Sequence, residues 1–289
     1  MKRLFHIIAV IFTAAGCDPQ MQLPESDPQI VVEGWIEEGG SPVVMVTTTV
    51  PVTATLTDIS ELEKYVVNWA KVTVSDGDEK IVLTGMKNND YFPPYIYTNS
   101  FMKGKAGKTY TLTVEYSGRT VTASTTIPPH RNLEFIKVKK ASDREGMFYL
   151  TGGLKDNPVT KDYYKVFTKV RNKDKTYVSS FLGLTDDDIL DEGINEIPIN
   201  NGTGTIDGKM DTYFTSEDFV YVRFCTLDKK AWEYWNDFEE VQSLTSNPLF
   251  PVSTDIRSNI KGGLGYWAGY GTSYYKVSIP DSLKLGKVY

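Results

Sequence analysis

Apolar and polar residues alternate with a period of two through much of the sequence, and that alternation predicts short β-strands. Ala70, Val72 and Val74 stand opposite Lys71, Thr73 and Ser75 before the turn pair Asp76-Gly77, and 80–84 runs on from there. Tyr110, Leu112 and Val114 share one face before Ser117-Gly118 turns the backbone into 119–126. Upstream, 30–37 (IVVEGWIE) and 43–50 flank Glu38-Gly39-Gly40-Ser41-Pro42, whose residues accept unusual backbone angles or fix φ, so the pair reads as a hairpin. Past residue 130, the segments 133–140, 147–154, 163–171 and 219–226 are rich in Val, Phe and Tyr and read as further strands.

One segment changes period. Over 228–244 (DKKAWEYWNDFEEVQSL), Trp232, Trp235, Phe238 or Glu239, and Val241 or Gln242 recur at helical spacing, with Asp228 placed to cap the first turn. This predicts one amphipathic helix with an aromatic face. Core packing is favoured over a carbohydrate-stacking platform for that face. Ile127-Pro128-Pro129 ends the first group of strands, because consecutive prolines remove ladder donors and hold the backbone extended. The expected fold class is therefore mainly β: an antiparallel transthyretin-like or Ig-like β-sandwich over 29–128, then a second β-rich domain over 132–289 with the helix near 228–244. The order A-x-V-x-V-x-D-G, then G-x-x-Y-x-L-x-V, resembles transthyretin-like and carboxypeptidase-regulatory β-sandwiches.

The N-terminus has a different pattern. The basic pair Lys2-Arg3, a largely apolar run over 4–16 and the small residues Ala14-Ala15-Gly16 lead directly into Cys17. The apolar run is too short to span a bilayer, which takes about 20 residues, and the order is that of a secretory signal cut before a cysteine that is then acylated. Residues 1–16 are expected to be a lipoprotein signal peptide and Cys17 the lipidation site. The segment 17–28 (CDPQMQLPESDP) is rich in proline and poor in large apolar residues, as suits a tether. Asp18, Glu25 and Asp27 in it loosely resemble surface-export signals, which leaves the membrane face undecided. The expected location is the outer membrane, held there by a lipid.

Processing changes the chemistry that remains. Of 31 basic residues, Lys2 and Arg3 leave with the signal, so 29 face 37 acidic ones and the net charge moves from −6 to −8. A nucleic-acid partner is disfavoured, since no basic stripe with interleaved aromatics is present. His6 leaves as well, and His130, the one imidazole left, sits in the prolyl boundary segment. Histidine-dependent triads and zinc sites of cysteine and histidine therefore lack members. Cys225 lies in FVYVRFC, the context of a buried strand, and reads as core. No catalytic residue, metal ligand or cofactor is expected.

Three clusters remain. Asp186, Asp187, Asp188, Asp191 and Glu192 offer oxygen ligands, although the alternating spacing of a calcium loop is missing. The glycine-rich Lys261-Gly262-Gly263-Leu264-Gly265 lacks a phosphate-loop ending and suits close backbone packing, or close approach by a ligand or partner. Tyr266, Trp267 and Tyr270, set among glycines, read as loop aromatics suited to a ligand- or partner-contact surface. Tyr274 and Tyr275, and earlier Tyr91, Phe92, Tyr95 and Tyr97, extend the aromatic set.

The early VVEGWI (31–36), the mid-sequence A-x-V-x-V-x-D, the late Asn247-Pro248-Leu249-Phe250-Pro251 and the 258–267 stretch SNIKGGLGYW occur in an order that resembles a large uncharacterised lipoprotein family. Members are often encoded beside TonB-dependent outer-membrane transporters, so the resemblance implies an accessory or ligand-binding lipoprotein of a nutrient uptake system, with the transporter as partner and no catalytic residues to carry over. The competing expectations are a carboxylate-based hydrolase and a structural or adhesive envelope protein.

Overall fold

The computed structural model describes residues 27–51, 54, 58–155, 157, 159–202, 212–245, 256–279 and 286–287. The signal, Cys17, most of the tether and the 247–251 motif lie outside these residues. Alternating β-branched and aromatic positions give β1 (Ile30–Glu37), β2 (Val43–Thr48), β3 (Lys71–Ser75), β4 (Lys80–Val82), β5 (Thr84–Lys87), β6 (Tyr95–Thr98), β7 (Thr109–Tyr116) and β8 (Arg119–Thr126). Past the prolines follow β9 (Phe135–Lys140), β10 (Met147–Lys155), β11 (Tyr163–Val170), β12 (Val178–Asp186), β13 (Ile194–Ile199), β14 (Phe214–Thr215) and β15 (Phe219–Leu227). Helix α1 (Lys229–Thr245), β16 (Leu264–Ser278) and β17 (Gly286–Lys287) complete the set, so the protein is mainly β, as its alternation predicts.

One nine-stranded sheet, ordered β12-β11-β15-β16-β1-β2-β6-β5 with β17 also on β16, forms the spine. Two four-stranded sheets cover one of its faces. The sheet β4-β3-β7-β8 buries Val72, Val74, Leu112 and Val114 against Val32, Ile36, Val44 and Val46, and the sheet of β9, β10, β13 and β14 buries Leu150, Ile197 and Phe214 against Tyr164, Val222 and Phe224.

Two sandwiches are thus present, yet the boundary expected at 128–132 does not separate them. β16 is 15 residues long and serves both. Its first half pairs in parallel with β1, from Val31 opposite Leu264 to Glu37 opposite Tyr270, and its second half pairs antiparallel with β15, from Thr226 opposite Gly271 to Phe219 opposite Ser278. The 29–128 sandwich therefore includes a strand from far along the sequence, Trp267 packs in its core, and a cut at residue 130 would divide the spine. Where the prolyl segment crosses β16, a Cβ on Gly271 would stand 2.3 Å from the carbonyl oxygen of Pro128, so glycine is required there.

Helix α1 lies on the other face of the spine. Asp228 accepts from the backbone N–H of Ala231 (2.8 Å) as N-cap, and its second oxygen accepts from the Thr125 hydroxyl (3.0 Å). Ala231 and Trp235 are buried against Tyr163, Phe167, Cys225 and Tyr266, which bears out the core reading of the helix's aromatic face.

Candidate functional site

Alternation along a strand sends successive side chains to opposite faces, and this places the site. On β1, Ile30, Val32 and Ile36 enter the sandwich core, which leaves Glu33, Trp35 and Glu37 on the helix side. On β16, Trp267 and Tyr275 go one way and Tyr266, Tyr270 and Tyr274 the other. β15 contributes Arg223, β11 Phe167, and α1 Trp235 and Phe238, while the 91–92 and 176–179 segments close the rim. The result is a cavity of about 530 Å³ with aromatic walls, in the size range of small-molecule sites.

Three charged residues line it. Glu37 accepts hydrogen bonds from the hydroxyls of Tyr274 (2.7 Å) and Thr272 (3.5 Å), and its carboxylate lies 3.7 Å from Nη1 of Arg223. Arg223 is only 7% exposed. Its guanidinium carbon lies 4.2 Å from the Phe167 ring centre and 5.0 Å from that of Tyr177, and its buried Nε has no hydrogen-bond partner among the described residues.

Glu33, opposite Tyr266 in the β1–β16 register, accepts one hydrogen bond among the described residues, from the Tyr266 hydroxyl at 3.3 Å. Glu33 is exposed and lines the cavity, while the groups packed around it raise its pKa by desolvation, with the Tyr266 bond pulling the other way. Burial likewise raises the tyrosines of the walls, Tyr177 to about 12 and Tyr270 and Tyr274 further, so they are neutral hydrogen-bonding groups at ordinary pH.

The helix wall is fastened from beneath. Trp235 Nε1 donates to the Tyr270 hydroxyl (3.2 Å), and the fully buried Lys165 ammonium pairs with Glu239. Desolvation lowers the Lys165 pKa, opposed by Glu239. At the helix's outer side Asp237 holds Arg257 through both oxygens, at 2.6 and 2.8 Å.

A family model for a domain of unknown function, DUF4249, matches residues 18–276. The protein belongs to this family. No curated protein matches it. In this DUF4249 member the matched extent runs through both sandwiches and takes in β16 as far as Lys276.

Of the aromatics singled out in the sequence, Tyr266, Tyr270, Tyr274, Tyr91 and Phe92 converge on the cavity, but not from a loop next to the glycines: Tyr266, Trp267 and Tyr270 are residues of β16. Trp267 faces away from the cavity. It is completely buried and its Nε1 donates to the Tyr110 carbonyl (3.0 Å), and Tyr97 and Tyr275 are also core. Gly265, at φ +99, lies so close to β1 that a Cβ would stand 1.9 Å from the Val32 carbonyl oxygen, which is the backbone-packing role expected for that glycine run.

The acidic cluster does not converge. Asp186 accepts from the Asp188 N–H (3.2 Å), Asp188 pairs with Lys161 (2.5 Å), Asp187 accepts from the Asp162 N–H, and Asp191 exchanges backbone bonds with the Asn195 side chain. No group of three or more metal-ligating side chains occurs among the described residues. Cys225 is buried with its thiol pushed up to about 12 by desolvation, and His130 bonds Glu38 (2.7 Å) in the prolyl segment. Glu33, Glu37 and Arg223 are the site residues that the sequence reading passed over. The signal that could have found them was Arg223, a lone charge inside the apolar FVYVRFC.

Proposed function

We propose that the protein is a non-enzymatic, lipid-anchored outer-membrane protein that binds a small organic ligand as an accessory of a TonB-dependent uptake system. The observation that carries ligand binding is the cavity: rigid strands and a pinned helix hold its aromatic walls and three charged groups apart around open space. The anchor rests on the order Lys2-Arg3, apolar run, Ala14-Ala15-Gly16, Cys17. The uptake role rests on the ordered motifs from VVEGWI to SNIKGGLGYW and the family they resemble. A tagged full-length protein, extracted in mild detergent under conditions that preserve transporter complexes, should bring down a TonB-dependent transporter. Absence of any such partner contradicts the uptake role. Cys17→Ala should move the folded protein from the membrane fraction to the soluble fraction, and retention at the membrane contradicts the lipid anchor.

The hydrolase reading has one observation in its favour, two carboxylates in one cavity. Glu33 and Glu37 are four residues apart on a strand, so their Cα atoms are about 13 Å apart, and the two side chains must lean toward each other to reach the carboxyl separations of about 5–9.5 Å in glycosidases. Glu37 is moreover shared by Tyr274, Thr272 and Arg223, which makes it a poor free base or nucleophile. Turnover of a glycan that is lost in Glu33→Gln would establish this reading over the first.

A further inference from the structure

The charges lining the cavity do not cancel. Two carboxylates, Glu33 and Glu37, face one cation, Arg223, and that cation sits with Glu37. Glu33 is left with a single tyrosine hydroxyl, and no cation pairs with it among the described residues. Glu33 is exposed and lines the cavity, so its negative charge is open to a ligand. Around it the fold supplies rings and open space. Tyr266 stands opposite Glu33, with Tyr234 of α1 packed on it at 4.2 Å between ring centres, and Trp35 follows two residues along the same face of β1. Tyrosine and tryptophan faces attract cations, and they do so more strongly where water is excluded.

On the reading of the cavity as a ligand site, we propose that it takes an organic ammonium ligand, with the charged nitrogen seated on the Glu33 carboxylate beside Tyr266 and Trp35. The planar or apolar body of the ligand lies along the aromatic wall toward Tyr270 and Arg223. Arg223, already beside Glu37, lines that end of the cavity. An anionic ligand would meet two carboxylates and one guanidinium already beside Glu37. A neutral ligand would leave Glu33 without compensation.

Three probes of nearly equal shape separate these cases: tryptamine is a cation, tryptophol its neutral counterpart and indole-3-acetate an anion. Calorimetric titration of the full-length protein in detergent at neutral pH should show tryptamine binding about tenfold or more tighter than tryptophol, with indole-3-acetate weakest. Glu33→Gln should bring tryptamine down to the level of tryptophol and leave tryptophol unchanged, with the variant's melting transition confirming that it is folded. Equal or tighter binding of tryptophol or indole-3-acetate to the unaltered protein would overturn the ammonium assignment while leaving a ligand-binding cavity. Failure of all three to bind at millimolar concentration would overturn both.

Discussion

The two faces of the nine-stranded sheet are built from the same strands and do different work. Under the small sheets the spine presents residues such as Val32, Ile36, Val46, Val222 and Phe224, all fully or almost fully buried and closely packed. On the helix side the neighbouring positions of the same strands are Glu33, Trp35, Glu37, Arg223, Phe167 and Tyr270, and they surround open space. A fold that needed only stability would cover both faces with the first kind of residue, because buried charges cost more than apolar side chains of similar size. One face is packed for stability, and the other is left around open space, where the proposed ligand would bind.

The contrast is most exposed on β16, where consecutive residues belong to opposite faces. Trp267→Ala should lower unfolding free energy by about 3–5 kcal/mol, the usual cost of truncating a large buried aromatic, and it also removes the indole donor to the Tyr110 carbonyl. Denaturant unfolding of the full-length protein checks this, and a loss below about 1 kcal/mol would mean that the N-terminal sandwich does not depend on β16. Next in size, Glu239→Ala should cost about 3 kcal/mol, because it leaves the Lys165 ammonium buried without its partner. The double variant Lys165→Met with Glu239→Leu should recover most of that loss. A single and a double variant of equal stability would show that the pair does not fasten the helix.

The smallest effect is the pH dependence introduced by Glu33. Its pKa in the folded protein lies above its ordinary value of 4.5, so its stabilising contribution is complete below that value and is lost as pH rises through the folded-state pKa. The groups facing it are Tyr266 from β16 and Tyr234 from α1, and both are themselves raised and stay neutral across this range. Glu33→Gln should therefore gain on the unaltered protein as pH is raised from 4.5, and match it or fall behind at lower pH. Stability curves that stay parallel from pH 4 to 8 would contradict a raised pKa at Glu33.

Strands and helix were largely legible in the sequence because each is a local pattern: IVVEGWIE alternates, and 228–244 has helical period with Asp228 at its head. Partners were not legible, since alternation says that a strand exists and not which strand it joins. The parallel pairing of β1 with β16 links residues more than 230 positions apart. β16 itself was hidden, for being covered on both faces it lacks the polar residues that punctuate a half-buried strand, and its glycines read as loop. The aromatics of the site were thus found and Trp267 was sorted to the wrong face. Glu33 and Glu37 looked like the wet side of an ordinary strand, and only the helix laid over that side makes them part of a cavity.

The central claim is that the helix side of the spine is an open, charged aromatic site. A crystal structure of the full-length protein grown with tryptamine tests it most directly. The account predicts density for the indole against the aromatic wall, with the ammonium within hydrogen-bond distance of Glu33. A collapsed cavity with Glu33 paired to a cation of the protein itself, or tryptamine bound only elsewhere on the surface, would contradict it.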